Sequence, residues 1–266
     1  MNITLFKSNI KSNWIIFLFI AFMLTIYTTV SVGMFNPENA ELMESLMSML
    51  PEAMVKAFGF NNLGTELTTY LAGYLFGFIL VIFPIIYIVF TANSLLASKV
   101  DKGTMAYVLS NPIKREKVVI TQAIYFVTTI TLLIAYAALV VILMSVIMWP
   151  GMLDIGKYVL LNLVTIALLV SIGSICFVAS SYFNSSMYSV GASSAIATLF
   201  VMINMLKGVS EDLDFLKYFT PISLLDTTKI LTDTGYAWAV IIGLSAFSIM
   251  MFVASIIIFK KKDLPI

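Results

Sequence analysis

The chain has 266 residues, of which 61% are hydrophobic and only 11% charged, with 20 Phe and a formal net charge of +1. A mean hydropathy of +1.02 excludes a single soluble core, and the apolar runs are long enough to cross a bilayer core of about 30 Å as helices. The single Cys176 lies inside an apolar run, which excludes a disulfide framework or a cysteine metal cluster and leaves it the role of a small buried apolar residue.

In chain order, the runs predict six spans at about 14–34, 70–96, 118–149, 158–182, 187–206 and 236–259, an all-α polytopic membrane protein built as one transmembrane domain over 1–266. Lys7 and Lys11 precede the first run as they would in a signal peptide. That run is long, however, and ends in TVSVGMF without an A-x-A site, so it reads as a retained helix. The segment 35–69 follows. Within it, 38–60 sets Met43, Leu46, Met47, Leu50, Met54 and Phe58 at helical spacing with acids opposite and a break at Pro51, the pattern of a helix lying flat at an interface. A Met-rich face of this kind suits adaptable contact with greasy cargo, or packing against its own bundle.

The stretch 97–117, ASKVDKGTMAYVLSNPIKREK, is the most polar connection. Thr104 is a plausible N-cap for a short helix whose apolar members are Met105, Tyr107, Val108 and Leu109. Asn111 and Pro112 then read as an N-cap and a first helical residue, opening a helix through Lys114, Arg115 and Lys117 into the third span. Such an element suits transmission of force from a cytoplasmic partner, or contact with lipid headgroups. The third run is long enough to tilt or to project beyond the bilayer. Between spans four and five, YFNSSM (182–187) is a tight turn. Before the last span, 211–230 forms two amphipathic halves separated by Pro221.

Charge sets the orientation. If the N-terminus is inside, the inner segments hold ten Lys and Arg against three acids, whereas the outer segments hold five Lys against eleven acids. The positive-inside rule then places both termini and the 97–117 loop in the cytoplasm. The middle of every span is free of Asp, Glu, Lys, Arg and His, and the chain has no His at all, which disfavours a proton relay and secondary active transport. There is no Gly-rich phosphate loop and no clustered acid, His or Cys set, so the sequence predicts no catalytic site.

Six spans with both ends inside, and SLLASKVDKGTMAYVLSNPIKREKVVITQ after the second span, resemble the ABC-2 type permeases of ATP-binding cassette exporters. In that family the loop carries an acidic position, Gly-Thr, a Leu-rich turn and a Pro-x-x-Arg step into the third span. Asp101, Gly103, Thr104, Leu109, Pro112 and Arg115 occupy those positions here, and the FKKKDLPI tail is similar to the basic-then-Asp ending of the family. The usual Glu before Gly-Thr is missing; the Ser98–Asp101 region stands in its place.

The resemblance implies that Asp101, Gly103, Thr104, Met105, Tyr107, Val108, Leu109, Pro112 and Arg115 form a coupling helix docking into a separate cytoplasmic ATPase subunit. ATP and Mg would be bound by that partner and no cofactor by this chain. A second permease would complete the path, as a homodimer in preference to a heterodimer, with the first and fifth spans facing the partner. The YFNSSM turn would be a smaller second contact. Membrane lipids are expected partners and nucleic acid is not; the implied location is a multi-pass position in a bacterial cytoplasmic membrane. The lack of a large outer domain is similar to exporters of amphipathic or antimicrobial peptides and lipophilic drugs, so the implied cargo is hydrophobic or amphipathic, a peptide first. The alternative is a non-transporting docking, immunity or sensor subunit that recruits a cytoplasmic protein.

Overall fold

The computed structural model describes residues 2–36, 49, 66–109, 114–207 and 211–262, so the Met-rich stretch 38–60 and the Asn111–Pro112 step fall almost wholly outside it. The described residues form helices and connecting turns, with no strand among them. They are α1 (Ile3–Met34), α2 (Leu67–Tyr74), a π turn (Leu75–Ile79), α3 (Leu80–Leu95), α4 (Ala97–Asp101), α5 (Thr104–Leu109), α6 (Arg115–Met148), α7 (Ile155–Tyr182) and α8 (Ser186–Leu206). Two 3₁₀ helices (Glu211–Phe219 and Pro221–Leu224), α9 (Thr227–Thr232) and α10 (Thr234–Lys261) complete the described elements. Among the described residues six segments are long and apolar enough to cross a membrane: α1, the run from α2 to α4, α6, α7, α8 and α10. This is the all-α polytopic architecture the apolar runs predict.

Several helices outrun their apolar stretches. The α1 helix begins at Ile3, where the Asn2 side chain accepts a hydrogen bond from the Leu5 N–H at 3.1 Å, and its polar Asn9 and Asn13 are buried against neighbouring helices. Such satisfied polar groups cost a helix little and tie it to its partners. At α6 the spacing misleads. Lys114 is extended, at φ −62° and ψ 138°, and the helix starts at Arg115, so no continuous helix runs from Pro112 through Lys114. The second span carries Pro84 within α3, and one π turn lies just upstream of it; together these adjust a span that a regular helix would cross straight.

The bundle is organised around α7, which packs on α3, α6, α8 and α10, while α1 lies on α6 and α3. Small side chains make the close approaches possible. A Cβ at Gly173 of α7 would stand 2.8 Å from the Phe126 ring of α6, so any larger residue there would force that ring to move. Ser180 Oγ donates to the Ala92 carbonyl at 2.7 Å and accepts from the Ala97 N–H at 3.1 Å, and Ser181 pairs with Ser255 of α10. Cys176 is buried as expected, 4.0 Å from the Ser193 carbonyl.

The two ends of the bundle differ chemically. At one end α7, α9 and α10 begin, and Asp154, Asp226 and Asp233 cap them by accepting backbone N–H groups. The acidic character of that end is thus partly helix-capping chemistry, favoured by the helix dipole. At the same end Trp149 Nε1 donates to the Val32 carbonyl at 3.0 Å, and Pro221 separates the two 3₁₀ helices. The Thr220 hydroxyl before it donates to the Phe200 carbonyl at 3.1 Å, about 9 Å short of the end of α8. The 211–224 segment therefore dips between the spans. The opposite end gathers residue 2, α4, α5, the start of α6, the α7–α8 turn and Lys262, and it carries most of the basic residues.

Candidate coupling site

At the basic end the chain leaves α3 and makes two short helices instead of one. The break is at Gly103, whose φ of +69° lies in the left-handed region that favours glycine; its N–H returns to the Val100 carbonyl at 2.9 Å. Thr104 is the first residue of α5, not its cap, and its hydroxyl donates to the Lys99 carbonyl at 3.1 Å across the break. The Gly-Thr pair thus fixes the angle between α4 and α5.

The apolar members of α5 do not share one fate. Met105 is 3% exposed and packs into the chain's own core, whereas Tyr107 is 79% exposed. Residues two apart on a helix point about 200° around it from each other, so burial of Met105 turns Tyr107 outward. The side chains of Val108 and Leu109, and all of Pro112, lie outside the described residues. Asp101 ends α4 with its Oδ2 accepting the Ser186 N–H at 3.1 Å, an N-terminal cap placed on α8 from another element. Asn93 adds a side-chain bond to Ser186 Oγ at 2.7 Å. The α7–α8 turn is therefore joined to α4 and α3. Arg115 does not reach outward: its Nη1 donates to the Lys262 carbonyl at 2.9 Å.

Beneath this surface lies a polar network that sequence reasoning missed. Lys99 Nζ donates to Asn9 Oδ1 at 2.6 Å, and Asn9 Nδ2 donates in turn to Gln122 Oε1. The Asn9 carbonyl accepts from Tyr125 OH at 3.2 Å and from Asn13 Nδ2 at 3.1 Å. Asn9 and Gln122 are almost fully buried, so α1, α4 and α6 meet through one asparagine. The only local signal is the Asn9–Asn13 spacing, which puts both on one face of α1. Their partners are about a hundred residues away and invisible to any local reading.

The end of α10 also reaches this end of the bundle. Lys262 Nζ donates to the carbonyls of Ser181 and Phe183 at 2.9 and 2.7 Å, at the C-terminal end of α7 where a cation suits the helix dipole. Lys260 pairs with Glu116 at 2.7 Å on the surface, a contact of small value. Burial pushes the Lys262 ammonium down from its usual 10.5 to about 8. Between those values the unfolded chain binds the proton more firmly, so stability rises with pH in that window. The melting temperature of the purified protein is expected to climb between pH 8 and pH 10 and to climb less in Lys262→Gln; equal slopes in the two proteins would contradict this.

The described residues thus form an all-α membrane domain with a structured basic end and a two-helix element between its second and third spans. The family model for ABC-2 family transporter protein matches residues 6–264, and the chain belongs to that family. It is a membrane subunit of an ATP-binding cassette exporter, and its family works with an ATP-binding cassette partner that carries the ATPase. No curated protein matches the chain.

Proposed function

We propose that the chain exports a hydrophobic or amphipathic cargo, a peptide first, with its basic end in the cytoplasm and the α4–α5 element seated in the partner ATPase. The observation that carries this reading is Tyr107, held outward by burial of Met105 on an element bonded to the α7–α8 turn through Asp101. Movement of the docked element would thereby be shared with spans two, four and five. Ten of fifteen Lys and Arg residues at this end support the cytoplasmic assignment. Uncharged span centres and the Met-rich 38–60 stretch support the cargo class.

Two copies forming a homodimer, with α1 and α8 facing each other, complete the path. Trp14, Leu18 and Phe22 of α1 and Leu199 and Met202 of α8 are more than half exposed on the single chain, which leaves them open to either a second copy or lipid. Single Cys residues along α1 and α8 are expected to cross-link between copies; failure of every such pair alongside efficient links elsewhere would contradict the arrangement. Export itself is tested in inverted vesicles holding this chain and its ATPase. ATP-dependent uptake of a fluorescent hydrophobic peptide is expected. Stimulation of the ATPase by small lipophilic drugs, with none by peptides, would overturn the cargo class, and no uptake of any amphiphile would favour a docking subunit.

A further inference from the structure

The helical ladder of span two is interrupted twice, and both interruptions meet at Leu80. In the π turn Leu75–Ile79 the ladder skips a residue, so the Leu80 N–H reaches back to the Leu75 carbonyl instead of the one after it. Leu80 itself has φ −72° and ψ −1°, far from the helical ψ of about −42°. One turn on, Pro84 stands inside α3 with no N–H, so the Leu80 carbonyl lacks the donor that an intact helix would supply. Leu80 is fully buried, and bulk water does not replace that bond. The two sides of the break are tied to different parts of the bundle. Toward the acidic end, Thr68 Oγ1 of α2 accepts the Asp154 N–H at 2.8 Å at the start of α7, and the Tyr70 ring lies 5.4 Å from that of Phe35 at the end of α1. Toward the basic end, α3 holds the far end of α7 and the start of α8, through Ser180 on the Ala92 carbonyl and Asn93 on Ser186. Between these ties α7 is itself softened. The Ser171 and Ser174 hydroxyls, on either side of Gly173, donate to the Leu168 and Ser171 carbonyls, local bonds that compete with the ladder and bend helices.

We propose that Leu80 is a hinge: α3 tilts about it together with α4 and α5, while α2 keeps its place against α1 and the start of α7. Elsewhere in a span, bending breaks ladder bonds inside hydrocarbon, where nothing else satisfies them. At Leu80 the ladder is already open, so a few backbone angles absorb the change. From Leu80 to Leu95 the lever is about 24 Å long, and a tilt of about 10° carries the α4–α5 element by about 4 Å. The hinge rests on span two alone; its use in transport rests on the coupling reading.

The full-length protein in nanodiscs, in a Cys176→Ala background, carries spin labels at Thr69→Cys and Phe90→Cys, on either side of Leu80. A second sample carries them at Ile120→Cys and Leu143→Cys along the continuous helix α6. Electron-spin distance measurements are expected to give a broader distribution across Leu80 than along α6. Pro84→Ala returns a donor to the Leu80 carbonyl, and deletion of Gly77 turns the π turn into an α turn; each is expected to narrow the distribution toward the α6 width. With the ATPase and ATP-Mg added, the mean distance across Leu80 is expected to shift in the wild type and to stay in place in Pro84→Ala, with ATPase co-purification unchanged. A width across Leu80 equal to that along α6, or one that Pro84→Ala leaves unaltered, would overturn the hinge. So would an ATP-dependent shift of equal size in the wild type and Pro84→Ala. Failure of the wild type to bind the ATPase would count against the coupling reading alone, since the widths are read without it.

Discussion

Replacing Tyr107 by Ala is expected to leave the permease folded in the membrane while uncoupling it from its ATPase. Truncating a buried aromatic anchor at a protein interface costs about 2 kcal/mol or more, roughly thirtyfold in affinity. Co-purification of the ATPase and cargo-stimulated hydrolysis should fall accordingly. Because Tyr107 is 79% exposed on the single chain, the substitution opens no cavity in the core. Leu109→Asp is expected to act in the same direction. Met105→Ala provides the contrast: its side chain is buried within this chain, so it should lower the melting temperature through a cavity costing about 2 kcal/mol or more. Lys114→Ala should do least, since an exposed charge near headgroups contributes little and is screened by salt. Wild-type behaviour of both Tyr107→Ala and Leu109→Asp, at equal membrane abundance, would remove the coupling role from this element.

The second large effect is expected at Asn9. Asn9→Leu strips the half-buried Lys99 ammonium of its acceptor and Gln122 of its donor, and leaving such groups unpaired costs about 3 kcal/mol. Lys99→Met, which keeps the length of the stem without the charge, leaves only the Asn9 oxygen unpaired and should cost about 1–2 kcal/mol. Combining the two removes both ends of the bond, so the double variant should be more stable than the sum of the single effects predicts, by about 1 kcal/mol or more. Because this network joins α4 to α1 and α6, stimulated ATPase turnover per folded molecule should fall in Asn9→Leu as well. Strict additivity of the melting shifts would show that Lys99 and Asn9 do not act as a pair.

The architecture was legible because hydrophobic run length is a direct consequence of bilayer thickness. The apolar stretches mark six crossings, and the structure has six segments able to make them. Helix ends were less legible, since Asn2, Asn9 and Asn13 look like solvated polar residues until the buried partners of Asn9 and Asn13 are known. Gly103-Thr104 could be recognised as a break from its chemistry alone, whereas the start of α6 could not: Asn-Pro is a sound local signal, but the tie between Arg115 and Lys262 spans most of the remaining chain. The positions of Met105 and Tyr107 illustrate the same limit. Both are apolar-capable residues on one short helix, and only packing against the bundle decides which one turns inward.

The most direct test of the coupling account places a photoreactive benzoylphenylalanine at position 107 of the full chain, assembled in membranes with its ATP-binding cassette subunit. Irradiation is expected to give one dominant adduct, to the ATPase, with a yield that changes when ATP is added. Adducts to lipid or to this chain alone, with none to the ATPase, would contradict the account.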